Sequence, residues 1–262
     1  MSRYRAMFAR NEGAFGAFVM LGDPGLAASA EILDALVEAG ADMLEVGIPF
    51  SDPVADGPVI QAAAARSLAA GTRPADCFAL LADFRARHPT APVGILTYAN
   101  LVVARGRDDF YGRAAAAGVD SVLVADVPLL EAAPFAASAR AHGVEPVLIA
   151  AANTPPERLA GIAALGGGYT YCVARAGVTG ADEAVRFDHG DMLDRLREAG
   201  APPPVFGFGI SQPAHVRAAL AAGAAGVISG SAIVARIAAG EPVAPFVREM
   251  KAATLCCGAA IG

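Results

Sequence analysis

Three carboxylates crowd the stretch LEVGIPFSDPVADGPVIQ, Leu44 to Gln61: Glu45, Asp52 and Asp56. Glu45 lies in the apolar run Leu44–Val46, which reads as a buried strand. The Gly-Pro-Ser-Asp-rich segment that follows reads as a loop and carries the two aspartates, and a helix pattern begins near Val59. A buried carboxylate is costly unless it is paired or protonated. Glu45 is therefore either a core side chain bonded to an amide or hydroxyl, or a proton-transfer group whose pKa burial lifts toward neutrality. The acids crowded beside it favour the second reading.

Other chemistries lack residues. Lys251 is the only lysine and falls in the apparent C-terminal helix, whereas a Schiff base needs an amine in the site. His88, His142, His189 and His215 fall in or beside predicted helices, away from strand ends, which argues against a histidine triad or zinc site. Cys77, Cys172, Cys256 and Cys257 lack paired metal-ligand spacing and suggest no disulfide frame. No metal is expected, and acid–base work falls to carboxylates and tyrosines.

A second constellation lies toward the C-terminus. Gly180, Gly209 and Gly230 let backbone N–H groups approach an anion, and Ser211 and Ser231 stand where short helices begin. Free N–H groups and the positive end of a helix dipole suit phosphate. The same residues also suit ordinary helix starts, but two adjacent turns of this kind favour the anion. Tyr98 and Tyr171 read equally as core aromatics, Asp23, Asn100 and Asp126 as turn formers, and Arg175 as a loop ion pair.

Positioning these groups requires regular elements. A repeated phrase, helix end with Ala-Gly or a similar pair and then an apolar strand, runs through EAGADMLEVG, AAGVDSVLVAD, AHGVEPVLIA, EAGAPPPVFGFG and AAGAAGVISG. Gly40, Gly118, Gly143, Gly200 and Gly223 fit the positive-φ position past a helix end. Eight strands are expected near Ala14–Leu21, Asp42–Gly47, Val93–Tyr98, Ser121–Ala125, Glu145–Ile149, Tyr169–Val173, Val205–Phe208 and Gly226–Ser229. Each is followed by a helix, and two helices (Val59–Ala70 and Pro74–Arg87) fill the gap after the second strand. Short, wholly apolar strands alternating with helices imply parallel pairing. The expected α/β class is a single-domain (β/α)8 TIM barrel over 1–262, with an extra helix after strand 2 and a frayed tail from about 255. An open doubly wound sheet is the main alternative. The strand ends would then carry the chemistry.

Composition agrees: 55% hydrophobic residues, a net charge of -6 and no basic run argue against nucleic acid or an anionic membrane surface. No stretch is apolar enough to span a bilayer, the N-terminus has no signal-peptide pattern, and a reducing cytoplasm is the simplest location.

The chain resembles the tryptophan synthase α subunit family. The motifs that carry this are LGDPG (21–25), LEVGIPFSDPVADGP (44–58), YANL (98–101), DSVLVADVP (120–128), GVTG (177–180), GFGIS (207–211) and GAAGVISGSAIV (223–234). The resemblance implies retro-aldol cleavage of indole-3-glycerol phosphate to indole and glyceraldehyde 3-phosphate. Glu45 would be the general acid–base and Asp56 the partner of the indole N–H. Tyr98, Asp126, Tyr171 and Thr179 would line or brace the pocket, and Phe18 and Leu96 would face the indole. Gly180, Gly209, Gly230 and Ser231 would hold the phosphate. The resemblance implies no cofactor on this chain, and a pyridoxal-phosphate β subunit that receives the indole in an α2β2 heterotetramer. The 51–58 loop and the segment around Asn100 would face that partner. Met20, Ala151-Ala152 and Ala176 depart from the family pattern of Thr, two prolines and Ser. The alternatives are a stand-alone lyase releasing free indole, a non-catalytic activator of a β subunit, and another sugar-phosphate barrel enzyme.

Overall fold

The computed structural model describes residues 2–10, 12–173 and 190–255. Eight strands, β1 (Ala14–Met20), β2 (Met43–Gly47), β3 (Val93–Thr97), β4 (Ser121–Val124), β5 (Glu145–Ala151), β6 (Thr170–Val173), β7 (Pro204–Phe206) and β8 (Gly226–Ser229), pair in parallel, each with the next. β1 then pairs with β8 from Ala14↔Gly226 to Ala17↔Ser229, so the sheet closes on itself. Closure excludes the open doubly wound sheet. The strand ends differ from the sequence expectation by no more than two residues.

Alternation along each strand sorts the core into two shells. Phe15, Ala17, Val19, Val46, Ile95, Val122 and Phe206 pack outward with helix residues such as Leu33, Phe84 and Val216. Phe18, Met20, Met43, Leu123, Val147, Tyr171, Val205 and Ile228 fill the lumen. Leu44 and Val46 belong to the outer shell, so Glu45 between them points inward.

The helices in chain order are α1 (Arg3–Phe8), α2 (Leu26–Glu38), α3 (Pro58–Ala69), α4 (Pro74–Arg87), α5 (Ala99–Val103), α6 (Arg107–Ala116), α7 (Ala133–Ala141), α8 (Pro156–Leu165), α9 (Gly190–Glu198), α10 (Pro213–Ala221), α11 (Ser231–Ala238) and α12 (Ala244–Leu255). A 3-10 turn, Leu129–Glu131, precedes α7. The expected extra helix is present: α3 and α4 both lie between β2 and β3. Proline opens α3, α4, α8 and α10, where its missing N–H costs nothing. The five glycines expected past helix ends all have positive φ, between 69° and 103°. Periodicity did not separate α1 or α5, each too short to show a full apolar face. Of the expected frayed tail, all but Leu255 lies outside the described residues.

α1 closes the N-terminal end of the barrel. Tyr4 is buried and its hydroxyl bonds Ser121 Oγ at 2.8 Å. Ser2 bonds the Glu145 carboxylate. Asp120, just before β4, accepts from Arg3 at 2.8 Å, from Arg85 of α4 at 2.7 Å and from the Val93 amide at 2.8 Å. Lys251 ends on Asp42, just before β2, at 2.8 Å. The lysine is thus committed to the closed end, and the opposite end is the one free to hold a ligand.

Candidate active site

Glu45 lies on the inner face of β2, 2% exposed, with a partner across the lumen: the Tyr169 hydroxyl donates to Glu45 Oε1 at 2.7 Å. Tyr169 immediately precedes β6, which stands opposite β2 in the closed order, and its ring meets Tyr4 edge-on with centroids 5.4 Å apart. Burial lifts the Glu45 carboxyl from 4.5 to about 7; the Tyr169 bond opposes the rise and the charge of Asp56 adds to it. The Tyr169 and Tyr171 phenols are pushed well above their ordinary value by burial first, then by the Glu45 charge, so both stay protonated.

Asp56 is delivered by the loop after β2. That loop folds on itself through Val54 N–Asp52 O (2.9 Å) and Asp56 N–Pro53 O (3.1 Å), and Gln61 of α3 donates its side-chain amide to the Asp56 carbonyl at 2.7 Å. Tyr98, the residue after β3, anchors it: its hydroxyl accepts from Ala55 N at 3.3 Å and bonds the Asp56 carboxylate, while its ring stacks on Phe50. Burial raises the Asp56 pKa above the usual carboxylate value, and the Tyr98 bond pulls it back. Of the three acids, Asp52 is the exception: it is exposed and bonded to Ser51, whereas Glu45 and Asp56 are both buried and the Asp56 charge acts on Glu45.

The remaining sequence candidates sort by position. Phe18 and Met20 lie over Gly47, where a Cβ would come within 2.8 Å of Met20 Cε and 3.1 Å of Phe18 Cζ. Leu96 pairs with Gly47 across the β2–β3 ladder and packs on the lumen cluster. Tyr171 is buried, two residues beyond Tyr169 on the same face, with Phe208 edge-on at 5.9 Å. Its ring lies on Gly207, where a Cβ would sit 2.0 Å from the Tyr171 hydroxyl. Asp126 is exposed; its Oδ1 accepts from Ala99 N at 2.7 Å, tying the loop after β4 to the start of α5. A rim cavity of about 330 Å³ adjoins it, lined also by Ala125, Leu148 and Ile149. A larger groove, about 700 Å³ between the α5–α6 connection and α7, lies outside the barrel and away from Glu45 and Asp56.

At the ends of β7 and β8, Gly209 adopts φ +77°, Gly230 precedes the first residue of α11, and Ser231 is that first residue. Thr179 and Gly180 lie outside the described residues, as do Arg175 and Ala176. Among the described residues, no group of three His, Cys, Asp or Glu side chains could hold a metal ion.

The structure draws in residues to which the sequence assigned no role. Tyr169 is the first; its signal was the Tyr-x-Tyr spacing that puts both rings on one strand face. Gln61 and Tyr4 gave no signal, because each acts through a fold contact. Asp23 is more than a turn former: buried, it accepts from Arg66 of α3 at 2.8 and 2.7 Å. His215 departs from the expectation that histidines stand clear of strand ends, since its Nδ1 accepts from Ser211 N at 3.3 Å in the loop after β7.

The fold and these side chains define a class: a closed parallel (β/α)8 barrel with two buried carboxylates, Glu45 and Asp56. Comparison with known proteins narrows it. The sequence profile of the tryptophan synthase alpha chain family matches residues 4–255. The Shewanella amazonensis tryptophan synthase alpha chain is 54% identical over 97% of this chain and 100% of its own length, and that of Yersinia pseudotuberculosis is 54% identical over 97% and 99%. A Mycobacterium tuberculosis tryptophan synthase structure superposes with a TM-score of 0.88 at 31% identity, covering 97% of this chain and 98% of the other. The Pyrococcus furiosus tryptophan synthase complex gives 0.81 at 35% identity, over 91% and 98%. The chain belongs to the tryptophan synthase alpha chain family. It is a lyase of tryptophan biosynthesis, cleaving indole-3-glycerol phosphate to indole and glyceraldehyde 3-phosphate.

Proposed function

We propose that Glu45 is the general acid–base of this cleavage and Asp56 the group that stabilises charge on the indole ring. The observation that carries the assignment is the buried Glu45 carboxyl held near neutrality, with a second carboxylate close enough to shift it. Glu45 donates a proton to C3 of the indole, which places positive charge at N1. Asp56 accepts the N1–H and offsets that charge. The hydroxyl on the carbon attached to C3 then returns a proton to Glu45. As it does so the C3–carbon bond breaks, its electron pair restores the aromatic ring, and the carbon becomes the aldehyde of glyceraldehyde 3-phosphate. One proton is given and one taken, so Glu45 ends as it began. A pKa near the working pH suits both steps.

Phe18, Leu96 and Tyr171 pack against the indole; Tyr98 and Asp126 brace the loops around it; Gly209, Gly230 and Ser231 hold the phosphate, with Thr179 and Gly180 completing that side. All of this lies in one domain. The chain carries no cofactor of its own. Its partner is a pyridoxal-phosphate β subunit in an α2β2 assembly in the cytoplasm, and the exposed Val54 (72%), Val103 and Leu130 support a docking face there. The tryptophan synthase complex from Pyrococcus furiosus among the structural relatives supports the same reading.

An indole-release assay on the purified chain, with and without a β subunit, tests these roles. Glu45→Gln is expected to abolish release while substrate still binds; unchanged turnover would remove Glu45 from the chemistry. No complex and no stimulation at micromolar β subunit would leave a stand-alone lyase.

A further inference from the structure

We infer that Ser229 is a positioning residue for the substrate phosphate, its hydroxyl joining the two loops that hold it. Ser229 is the last residue of β8 and is wholly buried, 0% exposed. Its Oγ donates to the carbonyl of Ile210, 19 residues earlier, at 2.6 Å. Ile210 follows Gly209 in the loop after β7; Gly230 and Ser231 follow Ser229 directly. One side-chain bond therefore links the two groups of backbone N–H donors.

The ladder explains why a side chain is needed. The β7–β8 register runs Val205↔Gly226 and Phe206↔Val227, short of both loops. On its other side Ser229 is held by β1, opposite Ala17. Ser229 is thus a fixed post, and the loop around Ile210 is what it holds. A phosphate bridging the two loops needs N–H groups from both within about 2.7–3.2 Å of its oxygens at once. Loop spacing therefore sets affinity for the phosphate, while the aromatic end of the substrate depends on Phe18, Leu96 and the acids.

The inference rests on the phosphate reading of Gly209, Gly230 and Ser231. The test measures, on the full chain, the KM for indole-3-glycerol phosphate, competitive inhibition by inorganic phosphate, and the KM for indole in the reverse condensation. Ser229→Ala is expected to weaken phosphate inhibition and raise the substrate KM by up to about tenfold, the worth of one hydrogen bond. The kcat at saturation and the KM for indole are expected to stay at wild-type values, and Ser229→Thr, which keeps the hydroxyl, to restore phosphate affinity. If phosphate inhibits the wild type and Ser229→Ala equally, or if the alanine variant loses kcat and indole affinity in step with phosphate affinity, the positioning role is overturned. If phosphate does not compete with substrate in the wild type, the cradle reading falls with it.

Discussion

The Tyr169 hydroxyl reaches across the barrel lumen to Glu45, 124 residues away in the chain, and donates to its carboxylate at 2.7 Å. The bond favours the ionised carboxylate, against burial, which favours the protonated one. Their balance holds Glu45 near neutrality. Tyr169→Phe removes the opposing contribution and leaves burial. The pKa that governs kcat is expected to rise by about one unit, in keeping with the loss of a hydrogen bond to a charged group. A kcat–pH profile identical to wild type would detach Tyr169 from the proton transfer.

The same displacement has a consequence for stability. The folded-state pKa of Glu45, about 7, lies above its ordinary value of 4.5, so between these values the folded chain binds the proton more tightly than the unfolded chain. The contribution of Glu45 to stability therefore falls as pH rises from 4.5 to 7 and stays low above that. Glu45→Gln removes the buried charge and keeps an acceptor for Tyr169. It is expected to be more stable than wild type at pH 8, by up to about 3 kcal/mol, with the gain vanishing below pH 4.5. Urea unfolding of both proteins at the two pH values decides this; equal midpoints at pH 8 would mean that the carboxylate is not penalised in the fold.

Asp56→Asn acts twice. In the proposed mechanism it withdraws negative charge from the indole nitrogen, and it removes the repulsion that helps raise the Glu45 pKa. Lyase turnover is expected to fall about 100-fold or more, as for loss of one preorganised charge-stabilising group, and the kcat profile to shift to lower pH. A near-normal rate would restrict Asp56 to shaping its loop with Tyr98 and Gln61.

Gly207 is where the aromatic wall leaves no room. A Cβ would come within 2.0 Å of the Tyr171 hydroxyl and ring, so Gly207→Ala must move that ring. A destabilisation of about 1–3 kcal/mol is expected, together with a raised KM, and pairing it with Tyr171→Ala should recover much of the stability loss. Thermal unfolding of the two single variants and the double variant reads this directly. Additive losses would show that the two positions do not share that space.

The loop carrying Asp56 was legible because Gly, Pro and Asp punctuate it, and the inward turn of Glu45 because alternation leaves no other face between Leu44 and Val46. Asp52 looked equal to Asp56, since composition does not say which side chain a folded loop turns inward; Tyr98 and Gln61, from other elements, decided that. The His215 contact with Ser211 escaped because helical periodicity places a residue on a helix but not its ring against the preceding loop.

What the sequence determined by itself was local: eight short apolar strands, the positive-φ glycines ending helices, the loop with its acids, and the motifs that mark the family. Patterns of period two and of 3.6 residues, and the demands of turns, are readable over a few neighbours. The tertiary structure alone decided the long-range pairings: Tyr169 to Glu45 across the lumen, Ser229 to Ile210 between neighbouring loops, and Asp120 to Arg3 and Arg85 at the closed end. All three depend on packing between segments distant in the chain, and the first also on closure of the sheet, which brings opposite strands face to face, and on exclusion of water from the lumen, which gives a single hydroxyl its leverage over a buried charge.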